Sequence, residues 1–245
     1  MQLSGKKVLV TGGARRVGRA IVLAAAARGA DVLIHYRTSA DEAERTADEA
    51  RRAGVTAVTL KADLADTAAV SELIEGARGA FGRVDVLVNN AAVYRPTPFE
   101  SVTEDDWDRH MSVNLKAPFL IAVALGRAMA RQGGGKIINL ADWAGERPYR
   151  GFLPYCVSKA ALIGLTRALA LELAPTVQVN AVSPGPVANP EGFSREELQG
   201  VPMANPLGRI GSPDDVAAAV VFLVEGSDFI TGSLLPVDGG WFLAR

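Results

Sequence analysis

The chain has a single cysteine, Cys156, so no intrachain disulfide can form and a reducing compartment suits it. Its two histidines, His35 and His110, are too few and too scattered for a zinc cluster, and no metal site is expected. Charge of one sign is also lacking. Lysine and arginine number 26 against 27 aspartate and glutamate, for a net charge of -1, and there is no long basic run. Nucleic acid and anionic membranes are therefore not expected as partners. No apolar stretch reaches the ~18 uncharged residues of a membrane span, and no signal-peptide pattern precedes the first strand. A soluble, cytoplasmic protein is the expectation. Apolar content, by contrast, is ample. Hydrophobic residues make up 49% of the 245, enough for a sizeable core in one large α/β domain.

Short β-branched runs alternate with helical ones. Strands are expected at 7–10, 31–36, 56–60, 84–89, 136–140, 177–182 and 233–237. Helices are expected from Val17 to Arg28, 41–53, 68–81, 104–131 as one long element, from Tyr155 through Leu173, and 214–223. This alternation predicts a Rossmann-type, doubly wound parallel sheet with helices on both faces. There is no linker, so residues 1–245 read as a single domain. The one long irregular segment, 184–206, has the composition of a substrate loop or of a plain connection.

The first strand ends in Thr11-Gly12-Gly13-Ala14-Arg15-Arg16-Val17-Gly18. A Gly-rich turn between a strand and a helix puts backbone N–H groups and a helix N-terminus at a phosphate-binding position. Gly12, Arg16, Val17 and Gly18 are the candidate contacts. Arg16 stands where glycine is more usual; it is either a surface arginine or a contact to cofactor phosphate or substrate. The second strand ends in His35-Tyr36-Arg37-Thr38-Ser39. An NAD-specific site wants an acid near here for the ribose 2′-hydroxyl, and none occurs before Asp41. Arg37 and Ser39 instead offer a charge and a hydroxyl for a 2′-phosphate, with His35 packing behind them or helping. NADPH is the expected cofactor. Asp63, with Leu64, is placed to meet the adenine or simply to cap a helix. Asn90 and Ala91 follow the fourth strand at the ligand end of such sheets. Asn114 lies mid-helix, where asparagine is a poor former, which points to a functional or kink-forming role.

Tyr155 and Lys159 are four apart on a helical pattern, so they share one face. An ammonium beside a phenol favours the phenolate, and such a pair could pass a proton. These residues, with Asn89-Asn90-Ala91, Asn114 and Ser183-Pro184-Gly185, give the chain a resemblance to short-chain dehydrogenases/reductases over nearly its whole length. The resemblance implies NAD(P)-dependent hydride transfer with Tyr155 as proton donor. It also implies that Lys159 holds the ribose and tunes Tyr155, that Asn114 aids a water relay, and that Pro184 and Gly185 line the cofactor site. A homo-oligomer, with a tetramer favoured, is implied as well.

Two positions depart from the general family pattern: Arg16 in the turn, and Asp142 where a serine usually stands. Both, with Tyr94, resemble the pteridine and dihydromonapterin reductase branch. In that branch the aromatic at the Tyr94 position stacks on the pterin. The expected substrate site is then Arg16, Tyr94, Asp142 and Tyr155, and the catalytic set is Asp142, Tyr155, Lys159 and Asn114. Asp142 fits C=N reduction, because an ionised carboxylate accepts hydrogen bonds but cannot donate one to a ketone oxygen. It would also keep the Tyr155 phenol protonated by like-charge repulsion. NADPH-dependent reduction of a pterin (a dihydropterin, or biopterin or folate) is the first expectation. A general NADPH-dependent carbonyl reductase acting on ketone, acyl, sugar or quinone substrates is the alternative. A third reading, a non-catalytic dinucleotide sensor, is disfavoured by the presence of Tyr155, Lys159 and Asn114. Trp107 and Trp143 are read as packing residues.

Overall fold

The computed structural model describes residues 1–187 and 205–243. Most of the expected substrate loop, 188–204, lies outside the described residues. The elements run β1 (Lys7–Val10), α1 (Arg16–Ala26), β2 (Asp31–Tyr36), α2 (Ala40–Arg52), β3 (Ala57–Lys61), α3 (Thr67–Phe81) and β4 (Val86–Asn89). They continue with α4 (Glu104–Met111), a π-helical turn (Ser112–Lys116), α5 (Ala117–Arg131), β5 (Gly135–Leu140), a 3-10 turn (Trp143–Gly145) and α6 (Leu153–Leu173). The last are β6 (Val177–Pro184), α7 (Pro213–Glu225), β7 (Leu234–Val237) and a second 3-10 turn (Trp241–Leu243).

The seven strands form one parallel sheet in the order β3-β2-β1-β4-β5-β6-β7. This is the expected α/β Rossmann-type architecture. Strand side chains alternate between two cores. Val8, Val10 and Ile34 pack with α1, α2 and α7, whereas Leu9, Leu33 and Ile137 pack with α3, α5 and α6. The central strands therefore present apolar side chains to both faces, as a parallel sheet between helical layers requires. The chain leaves β1 toward one edge and returns to its other side at β4. The C-terminal ends of these two strands diverge there and leave a crevice.

Helix ends are set by local chemistry. Thr103 with Asp106, and Ser212 with Asp215, form capping boxes that start α4 and α7. The long helix expected over 104–131 is not continuous. It widens into a π turn at 112–116, and the Asn114 side chain within that turn is bonded outside the helix. Its Oδ1 accepts from the Val93 N–H, and its Nδ2 donates to Val93 O and to Ser158 Oγ. Residues 104–131 are long and apolar enough to cross a membrane by length and composition. Yet Ile121, Leu125 and Met129 are buried in the core, as in a core helix.

The glycine turn tolerates no side chain at Gly18. A Cβ built there would lie 2.1 Å from Gly12 O and 2.6 Å from Asn90 Nδ2. The Gly18→Ala chain is expected to lose about 1–3 kcal/mol of stability, read as a lower urea midpoint at unchanged slope.

Candidate active site

A cleft of about 770 Å³ opens at the C-terminal ends of the strands and runs from Arg37 and Ser39 to Trp241. That volume is at the upper end for ligand pockets and leaves room for two molecules side by side. All the expected cofactor residues line it: Gly12, Arg16, Val17, Gly18, His35, Arg37, Ser39, Asp63, Leu64, Asn90, Ala91, Tyr155, Lys159, Pro184 and Gly185. So do Tyr94 and Asp142.

The glycine turn presents the N-terminus of α1, which no side chain caps and whose first turn carries no acid. Its N–H groups face the cleft end of β1, as a phosphate requires. Arg16 sits at φ +53°, the one left-handed non-glycine residue among the described residues. The backbone there has the shape that glycine favours, and the arginine is held at a cost of about 1 kcal/mol or more.

His35 braces the glycine turn from the cleft wall. Its Nδ1 accepts from the Gly12 N–H at 3.0 Å, so Nε2 carries the proton and faces Ala62 O at 3.1 Å. Burial keeps the ring neutral. The Asn90 amide likewise serves the turn, donating to Thr11 O and Gly12 O. Arg37 lies 3.9 Å from Asp63 and both are part-exposed, a pair too loose to hold the guanidinium against a stronger anion. The Ser39 side chain does not cap α2.

At the other end, the Tyr155 hydroxyl donates to Asp142 Oδ2 at 2.8 Å. Asp142 Oδ1 accepts from the Ala144 N–H, which starts the 3-10 turn. Lys159 Nζ donates to Leu140 O at 2.6 Å and lies 5.7 Å from the Tyr155 ring. Burial pushes the Asp142 carboxyl above the usual carboxylate range, against the Ala144 N–H and the Lys159 charge. Burial also lowers Lys159 to about 8, with Asp142 pulling the other way. For Tyr155, burial and then the Asp142 charge raise the phenol well above its ordinary value. Burial and Asp142 thus act in the sense expected of a carboxylate beside the phenol, toward a protonated Tyr155.

Asn114 sits inside the π turn, the position of a kink-forming residue. It is buried, its amide is spent on Val93 and Ser158, and it is not among the cleft-lining residues. Its side chain braces the loop that carries Tyr94.

Tyr94 stands on the catalytic side. Its ring meets Tyr155 edge-on at 4.8 Å and stacks on Phe152 at 4.7 Å. Trp143, Tyr149, Trp241, Arg109 and Val113 also line the cleft and were not anticipated as site residues. Trp143 follows Asp142 directly, which was the available signal. Trp241 carries none, because it arrives from the far end of the chain.

Strand order, glycine turn and Tyr–Lys pair now stand together, and a family model described as enoyl-(acyl carrier protein) reductase matches residues 12–242. The chain belongs to the short-chain dehydrogenase/reductase family. It is 41% identical to an uncharacterised oxidoreductase of Mycobacterium tuberculosis, over 98% of this chain and 93% of that protein. It is 37% identical to galactitol 2-dehydrogenase of Agrobacterium fabrum, over 98% of each. Among solved structures, a putative short-chain alcohol dehydrogenase from Sinorhizobium meliloti superposes with a TM-score of 0.93 at 35% identity, covering 99% of this chain and 98% of that one. A blue fluorescent protein from a metagenomic library, in complex with NADPH, gives 0.91 at 37% identity, covering 98% and 99%. These relatives are varied members of the family, and none of them is a pteridine reductase.

Proposed function

We propose that this short-chain dehydrogenase/reductase is an NADPH-dependent reductase interconverting a carbonyl compound and its alcohol. The observation that carries this is the Tyr155 hydroxyl bonded to Asp142 at 2.8 Å, with Lys159 behind it. A nicotinamide bound in this cleft supplies hydride to the carbonyl carbon. Tyr155 delivers the proton to the carbonyl oxygen, and its raised pKa keeps that proton in place until it is needed. Asp142 resolves its own difficulty as a serine replacement. Its two oxygens accept from the Ala144 N–H and the Tyr155 hydroxyl, so it orients the proton donor, and the ketone oxygen takes its hydrogen bond from Tyr155 itself. Lys159, kept as an ammonium below about pH 8, holds a ribose hydroxyl and the charge balance of the pair. The alcohol dehydrogenases among the relatives support this chemistry.

Pterin reduction is the second reading. It is favoured by Tyr94, which sits against Tyr155 on the side of Asp142 and not across the cleft from it. Asp142 and Tyr155 would then relay a proton to a ring nitrogen.

The test is NADPH oxidation with a panel of ketones and quinones beside a dihydropterin, repeated with NADH. Ketone turnover supports the first reading, and turnover confined to the dihydropterin replaces it with the second. The same assay checks the cofactor. Arg37→Ala is expected to raise KM for NADPH by about 10- to 100-fold through loss of a charged hydrogen bond, with KM for NADH unchanged. An equal effect on both cofactors would remove Arg37 from the 2′-phosphate site.

The exposed apolar residues Leu153, Val157 and Leu171 of α6 and Phe119 of α5 support a homo-oligomer, with a tetramer expected.

A further inference from the structure

We infer that the substrate carbonyl is carried on a flat aromatic ring system, held by a shelf of Trp143 and Tyr149 whose outer edge is Trp241. This rests on the carbonyl-reductase reading above and specifies its substrate class. Trp143 is fixed by its neighbour. Asp142 caps the 3-10 turn through the Ala144 N–H, so the indole stands one residue from the carboxyl that holds Tyr155. The rings are arranged as a surface and not a plug. Trp143 stacks on Tyr149 at 5.0 Å with 25° between planes, and Trp241 closes on Trp143 at 5.8 Å and 55°. All three line the cleft and remain partly exposed. A core packing role would bury them. Apolar faces left at a cleft wall are the kind of surface that a planar ligand covers.

Trp241 is positioned by its own devices. Asp238 accepts from the Gly240 and Phe242 N–H groups and its carbonyl from Trp241 N–H, which folds the C-terminal 3-10 turn. The Arg147 guanidinium lies 5.0 Å over the Phe242 ring and pins that turn to the loop bearing Tyr149. Burial holds the Tyr149 phenol protonated, so the shelf carries no charge of its own at neutral pH and suits an uncharged ring.

The experiment is a fluorescence titration of the purified chain with NADP+ present, in a Trp107→Phe background that leaves Trp143 and Trp241 as reporters. The probes are an aryl methyl ketone and its cyclohexyl counterpart, equal in size but not in flatness. The aryl probe is expected to bind about fivefold to tenfold more tightly, the increment of one aromatic pair. Trp241→Leu is expected to erase most of that difference. Equal affinity for the two probes, or a preference untouched by Trp241→Leu, overturns the shelf. The readout needs no turnover. A chain that binds the aryl probe preferentially but reduces no carbonyl would overturn the reductase reading and leave the shelf standing.

Discussion

Tyr155→Phe is expected to lower kcat by about 10³, within the range for removal of a general acid, while KM for the cofactor changes by less than a few fold. Among the described residues the hydroxyl is bonded to Asp142 Oδ2 at 2.8 Å. Its removal takes away the proton donor and leaves the ring, with its contact to Tyr94 at 4.8 Å, in place. The fold should survive. Tyr155 is almost fully buried, phenylalanine fills the same space, and the acid left behind is already biased to its neutral form by burial. Steady-state kinetics beside circular dichroism separate chemistry from folding. A loss below tenfold in a folded variant would mean that another group delivers the proton.

The second large effect concerns Lys159 and pH. With NADPH as the varied substrate, kcat/KM reports groups of the free chain. Lys159 titrates at about 8 there, lowered by burial. Its ammonium is present below that pH and lost above it, so kcat/KM for reduction should fall by about tenfold per unit as pH rises past 8. Lys159→Met should lower kcat/KM by about 10²-fold or more at pH 7 and remove the lysine limb from the profile. A wild-type profile flat to pH 10 would show that the ammonium is not required.

Fold and cofactor cleft were legible because they rest on local signals. Strand and helix periods are repeated along the chain, and each site residue of the cofactor end lies within a few positions of a strand terminus. Lines of the sequence that named chemistry by residue type fared less evenly. Asn114 stood out as a poor helix former, which it is, but its amide is spent bracing Val93. The direction of the Tyr155 shift depends on burial and on Asp142, thirteen residues earlier; the like-charge part was legible in the sequence, and the larger part, burial, was not. Trp241 was out of reach of any pattern, because only the crossover of β7 brings it to Trp143.

The widened turn at 112–116 has a geometric result for the rod it interrupts. A π turn closes its hydrogen bonds at i→i+5, so it takes in one residue more than an α turn, and about 100° of angular phase goes with that residue. The polar α4 and the apolar α5 are therefore out of phase along one axis. Each keeps its own face inward: His110 is buried on one side of the slip, and Ile121, Leu125 and Met129 on the other. Asn114, the residue inside the slip, is also the one that clasps the Val93 backbone. The phase slip in the helical rod is thus tied by hydrogen bonds to the loop that carries Tyr94.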